Sequence, residues 1–177
     1  MKSLYLKIIT PVLLITAGCS KEPLTAIIPP IKSAVVQDSV FAFNNPLDRT
    51  LLLELINEYR SKGCNCSNVY MAPVPIVAWN EKLEKAAWLH SKEMSDSAYF
   101  SHTGKNGSNP GNRISKMGYK WKTYEENIAL GVLTEKTLIK GLMNSPVHCK
   151  AMMNPNVRET AVALYNNFWT QELAVSY

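Results

Sequence analysis

Between residues 48 and 64 the apolar positions recur at helical spacing. In "DRTLLLELINEYRSKG", Leu52, Leu55, Ile56 and Tyr59 fall on one face, and Gly63 marks the stop. A second helical stripe, Leu83, Ala86, Ala87, His90 and Met94, runs through "EKLEKAAWLHSKEMSDS", with Asn80 as its cap. The stretch between them, "CNCSNVYMAPVPIVAWN", reads as a loop with two prolines. "YFSHTGKNGSNPGN" is a Gly, Ser and Asn-rich loop leading into a short helix, "PGNRISKMG", that stops at Gly118. "YKWKTYEENIALG" reads as an extended segment ending at Gly131. Thr134 caps a helix that must end before Pro146, and Ser145 caps a short one with Pro146 at its first position. Asn154 and Pro155 close that helix. In "RETAVALYNNFWTQELAVSY" two runs rich in β-branched and aromatic residues flank Asn166 and Asn167, the signature of a hairpin. Helices early and in the middle with strands late predict an α+β fold, helices packed on a mainly antiparallel sheet.

The first residues have a different pattern. "MKSLYLKIITPVLLITAGCS" has a basic start, a short apolar run and small residues before Cys19. That is the architecture of a secretory signal, and its apolar run is short for a bilayer span. "ITAGC" is also similar to a bacterial lipobox, in which the cysteine is lipidated and becomes the first residue; Thr16 stands where a larger aliphatic is usual. The expected organisation is a signal peptide over 1–18, a lipidated Cys19 with a proline-containing tether over 19–47, and a domain over 48–177. Such a chain is anchored to the outer membrane, in the cell envelope, and does not span it; whether it faces the periplasm or the surface is open.

Charge narrows the partners. Of the formal net charge of +5, Lys2 and Lys7 contribute two and belong to the predicted signal, leaving +3 without a clustered basic stripe. This excludes nucleic acid as the expected partner. Export implies an oxidising compartment, so the cysteines beyond Cys19 are candidates for a bridge. Cys149 is expected to pair with one member of "CNC", either Cys64 or Cys66, leaving one thiol over. Zinc ligation by Cys64, Cys66 and His148 is the competing arrangement.

Few side chains here carry chemistry. His148 stands in the first turn of the helix that begins at Pro146, where the positive end of the helix disfavours protonation. A neutral imidazole suits a metal ligand or a general base, and equally a structural hydrogen bond. His102 opens the polar loop after Phe100. Glu125 and Glu126 are neighbours in an extended segment, so at most one points inward. Glu159 begins the hairpin, and His90 falls on an apolar helix face, where a core role is expected. Ser145 could act as a nucleophile with His148 as its base. Its capping position and the lack of a visible oxyanion arrangement argue against this.

Taken in order, "NEYRSKG", "AWNEKLEKAAWLHSKEM", "YFSHTG", "NRISKMGY", "ENIALG", "NSPVHCKAMMNP" and "WTQELA" resemble the CAP superfamily of cysteine-rich secretory proteins, antigen 5 and pathogenesis-related proteins. The likeness is to its bacterial SCP-like branch and covers residues 48 to 177. It implies an α-β-α sandwich with a central cleft walled by two histidines and two acidic residues. Matched motif by motif, these are His102, Glu126, His148 and Glu159. It also implies that His102 and His148 can hold a divalent cation such as zinc. Glu125 and Val147 stand where the family usually has glycine, and Leu142 where it often has tryptophan; a left-handed backbone at either glycine position would now be strained.

The resemblance leaves function open among three readings. The first is a non-enzymatic, monomeric binding module whose cleft takes a small apolar ligand, such as a lipid or sterol, or a peptide. The second is a metal-dependent, peptidase-like hydrolase in which Glu126 serves as base. The third is a structural envelope protein with a vestigial cleft.

Overall fold

The computed structural model describes residues 43–177. The predicted signal peptide, Cys19 and most of the tether lie outside the described residues. From Phe43 onward the chain forms five helices and six strands. They are α1 (Arg49–Lys62), β1 (Cys64–Cys66), β2 (Val69–Met71), β3 (Ala78–Trp79), α2 (Glu81–Asp96), α3 (Pro110–Lys116), β4 (Trp121–Leu130), α4 (Glu135–Asn144), α5 (Pro146–Met152), β5 (Glu159–Tyr165) and β6 (Phe168–Ser176).

The helix ends match the sequence signals. Asp48 caps α1 by accepting from the Leu51 amide, and Gly63 ends it at φ 74°. No side chain fits there: a Cβ on Gly63 would come within 2.8 Å of the Met71 carbonyl oxygen. Asn80 accepts from the amides of Lys82 and Leu83, and Thr134 forms a reciprocal capping box with Thr137. Ser145 departs from expectation. It occupies the cap position of α5, but its side chain makes no capping hydrogen bond. The proline-containing loop departs too. Its residues form a small antiparallel hairpin, β1 with β2, and then β3.

The main sheet has the order β3-β5-β6-β4. β6 pairs antiparallel with both β4 and β5, while β3 adds two residues in parallel to the start of β5. Alternation along the strands separates two faces. One carries Val162, Trp169 and Leu173 and packs with Leu52 and Ile56 of α1, Leu138, Ile139 and Leu142 of α4, and Met152 of α5. The other carries Ala161, Ala163 and Ala174 and packs with α2 and α3 through Leu83, Ala86, Ala87 and Ile114. Small alanines on this face let α2 lie close over β5 and β6. The result is an α+β fold, as the pattern of elements predicts, in the three-layer α-β-α arrangement that the resemblance implies. Leu142, in place of a larger aromatic, is accommodated within the first core.

Two anchors hold the chain around α5. Arg60 is fully buried on α1 and donates to the carbonyls of Pro75, Met152, Asn154 and Val157, pinning the segment that leaves α5. Cys66 and Cys149 form the disulfide, with Cα atoms 5.5 Å apart across 83 residues of chain. Among the described residues, Cys64 is the free thiol. With Cys66 in the bridge, the Cys64, Cys66 and His148 zinc arrangement is not formed. Closing so long a loop is worth on the order of 4 kcal/mol in a chain-entropy account. The packed unit also starts before Asp48. Phe43 packs on Trp88, and Asn45 bonds to β5, so these two residues belong to the fold and not to the tether.

Candidate functional site

β4 lies at the open end of the main sheet, and no strand pairs with its outer side among the described residues. Glu126 points to the α2/α3 face and its neighbours Glu125 and Asn127 to the other. The polar loop after α2 brings His102 to this edge from one layer. α5 brings His148 from the other. The two histidines, Glu126, Met71, Val147 and Lys150 are among the residues that line one open cavity of about 380 Å³. Three of the four residues expected in a cleft, His102, Glu126 and His148, therefore share a cavity across the rim of the sheet.

Glu126 organises the near wall. Its side chain is 2% exposed, whereas that of His102 is 52% exposed. His102 Nδ1 is 2.7 Å from Glu126 Oε1, and the Arg113 guanidinium donates to Oε2. Arg113 also donates to the carbonyls of His102 and Ser108, each at 3.0 Å, so one side chain from α3 holds both the carboxylate and the loop. Burial pushes the Glu126 carboxyl up. The His102 hydrogen bond and the charge of Arg113 more than offset this and hold it below the usual carboxylate range. Directly opposite on β6 is Glu172, completely buried, with neither carboxyl oxygen hydrogen-bonded among the described residues. Burial first, and then the Glu126 carboxylate, push its pKa well above the ordinary value. The two shifts run in opposite directions, favouring the carboxylate at Glu126 and the neutral acid at Glu172.

His148 forms the far wall. Burial lowers its pKa, and the nearby His102 lowers it further, so it is neutral at pH 7. Asn127 donates 3.2 Å to the His148 carbonyl, tying α5 to β4. Neither departure from the family pattern strains the backbone. Glu125 lies in a strand and Val147 in a helix, and the non-glycine residues with positive φ are Ser67, Ala98 and Asn166. Glu125 accepts from Asn154 at 2.7 Å, and Val147 is 74% exposed at the rim of the cavity.

The other candidates go elsewhere. Glu159 is not in the cleft: it begins β5, two strands away, where Asn80 and Tyr119 donate to its carboxylate. His90 is a core residue, fully buried, with Nε2 donating to the Ser101 carbonyl at 2.9 Å. Ser145 is not among the residues lining the cavity. A cavity of about 430 Å³ between α2 and α3 shares Arg113's surroundings but holds no histidine. Among the described residues, the group of three metal-capable side chains drawn within 4.8 Å of one another is Cys64, Cys66 and Cys149; His102, Glu126 and His148 are not gathered so tightly. Sequence reasoning missed Arg113 and Glu172. Both lay inside stretches that carried the resemblance, "NRISKMGY" and "WTQELA".

The family model for the cysteine-rich secretory protein (CAP) family matches residues 53–175. The chain belongs to the CAP family. It is 35% identical over 95 residues to an uncharacterized protein, YkwD, of Bacillus subtilis (strain 168), a match covering 52% of this chain and 37% of that protein. It is 27% identical over 93 residues to an uncharacterized membrane protein, YlbC, of the same organism, covering 52% of this chain and 27% of the other. The chain thus spans well under half of these relatives. Among solved structures, an extracellular protein containing a SCP domain from Bacillus anthracis superposes with a TM-score of 0.63 at 27% identity, over 71% of this chain and 39% of that one. An outer surface protein from Borrelia burgdorferi superposes with a TM-score of 0.61 at 20% identity, over 72% of this chain and 92% of its own, a likeness of fold. These CAP-domain neighbours are named as extracellular or surface proteins, and no helix among the described residues is long and apolar enough to cross a membrane.

Proposed function

We propose that this CAP-domain protein is an exported, lipid-anchored binding module whose rim cleft takes a small apolar ligand or a peptide. The observation that carries the reading is the open cavity of about 380 Å³ at the edge of β4, with imidazoles from two layers on its walls. Other surface cavities of the domain are larger, so what singles this one out is its lining, imidazoles from two layers beside a buried carboxylate. Met71 and Val147 supply apolar lining, and His102, Glu126 and Lys150 supply polar groups that orient a ligand. Export and anchoring through Cys19 rest on the leader pattern, supported by the surface or extracellular naming of the structural neighbours.

A divalent cation held by His102 and His148 is a second element of the proposal; because these residues and Glu126 are not gathered within 4.8 Å, binding would draw the two walls of the cleft together. Glu126 engages His102 Nδ1, which fixes the ring and leaves Nε2 as the ligand nitrogen. His148 is neutral and has its lone pair to give. A zinc ion bound there would supply a Lewis-acid centre for an oxygen-bearing ligand. The protein's own residues do the positioning: Arg113 fixes Glu126, and Glu126 fixes His102. Calorimetric titration of zinc into the protein, beside the His102→Ala/His148→Ala double variant, tests this element. Binding that disappears in the double variant supports it. Heat of binding absent from both proteins removes the cation, and fatty-acid, sterol and peptide titrations then decide the ligand. If none of these binds, the binding-module reading fails.

A further inference from the structure

β1 is three residues long, and strand alternation puts Cys64 and Cys66 on one side with Asn65 on the other. Both sulfurs therefore turn towards α5. Cys66 is bonded to Cys149, and Cys64 Sγ lies 3.8 Å from Cys149 Sγ. Cys66 and Cys149 are completely buried, so a reagent in solution cannot reach the bridge directly. Cys64 is half-buried and opens on a cavity of about 220 Å³ lined by Glu58, Tyr59 and Lys62. A thiol in contact with one sulfur of a bridge can begin thiol–disulfide exchange once it lies in line with the bond; with the three sulfurs within 4.8 Å of one another, Cys64 must first turn towards that line.

We propose that Cys64, Cys66 and Cys149 form a three-sulfur exchange site in which the bridge to α5 moves between Cys66 and Cys64. The Cys64 thiolate forms a bond to Cys149 Sγ while the Cys66–Cys149 bond breaks. Cys66 leaves as the thiolate and takes up the proton that Cys64 released. One bridge and one thiol exist before and after, so no outside oxidant or reductant enters. The 3.8 Å contact selects Cys149 as the attacked atom; attack on Cys66 would instead join two residues of the same strand and release α5. Cys149 is next to His148 in sequence, so either isomer keeps the far wall of the cleft attached to the β1–β2 hairpin. The exchange also gives outside thiols a route to a buried bridge through Cys64.

The test is site-by-site trapping on the full chain. The protein is incubated without oxidant, denatured at low pH to stop exchange, and alkylated. Peptide sequencing by mass spectrometry then reads the label on Cys64 and Cys66, with Cys19 counted separately on its own peptide. The expected result is label divided between Cys64 and Cys66, and a Cys64–Cys149 cross-link beside Cys66–Cys149. Label confined to Cys64 overturns the proposal, whatever any variant shows. In the Cys66→Ser variant, equilibrated in an oxidising glutathione buffer that takes up the two electrons, the expected result is a Cys64–Cys149 bridge; Cys64 and Cys149 both left as thiols in a folded variant under that buffer overturns it. If that variant does not fold, the trapping experiment on the unaltered chain decides.

Discussion

The two edges of the main sheet are finished in opposite ways. At the β5 edge, β3 covers only Glu159 and Thr160. Farther along, the Asn45 side chain continues the ladder, donating 2.9 Å to the Val162 carbonyl and accepting 3.2 Å from the Leu164 amide. Asn45 is held in turn by Glu84, a fully buried carboxylate that also accepts from Arg49 and Trp79. Every polar group in this closure is spent on structure. At the β4 edge the side chains are tied to one another, but they face an open cavity. Edge strands are places where a sheet can pair with other molecules, and proteins usually cover them. Here the covered edge is a matter of stability, and the uncovered one offers a cleft. The lesson is that similar polar residues, Glu84 and Glu126, are assigned to opposite duties by what lies beside them.

The sharpest way to break this comparison is to remove Glu84. Glu84→Ala strips a partner from Asn45, Arg49 and Trp79 together and is expected to cost about 2–4 kcal/mol, read from urea unfolding. Amide exchange at Leu164 should quicken, while titrations at the cleft stay as they were. His102→Ala, on a half-exposed side chain, should cost under about 1 kcal/mol. If the two substitutions destabilise equally, or if Glu84→Ala abolishes cleft binding, the division between a structural and a functional edge is wrong.

The next test lies beneath the cleft. Glu172 has a raised pKa in the fold, so between its unfolded value near 4.5 and its folded one the native state holds more protons than the unfolded state. Stability then falls as pH rises through that window. Glu172→Gln keeps the shape of the neutral acid and cannot ionise. Urea midpoints measured from pH 5 to pH 9 should show the variant gaining on the parent as pH increases. A parent whose midpoint does not fall relative to the variant would mean that Glu172 is not held neutral. His90 acts in the other direction. Burial lowers its pKa, so its neutral form supports the fold above about pH 6.5 and that support is lost on acidification.

These residues also mark what can be read from sequence. The helices and the late hairpin were legible because their periods and end residues are local features. Glu126 was separated from Glu125 by the motif, and strand alternation agrees with that choice. Glu159 was misplaced because a position at the start of a strand does not say which strands lie between. Asn80 and Tyr119 claim it on the same face but two strands away, towards the opposite edge. Glu172 escaped notice because a carboxyl in the middle of a strand reads as a solvated side chain unless the opposite strand is known. Asn45 lay beyond the predicted boundary, since one amide that replaces a strand leaves no periodic signal. The β1–β2 hairpin was hidden by its short strands and the prolines just after them.

The smallest expected effect concerns Ser145. Serine before Pro146 is a strong cap signal, yet its side chain makes no capping bond. Asn80 holds the same formal position on α2 and does bond, to two amides and to Glu159. Asn80→Ala should cost about 1–2 kcal/mol, and Ser145→Ala about 0.5 kcal/mol or less. Near-equality of the two in thermal unfolding would mean that the Ser145 side chain caps α5 in solution. The expected inequality has a structural cause. α5 is fixed from other directions, by the bridge at Cys149, by Asn127 on the His148 carbonyl, and by Arg60 on the segment after the helix. An element held at its middle and its exit does not need its first turn secured, and the cleft wall can keep its place with an unpaired cap.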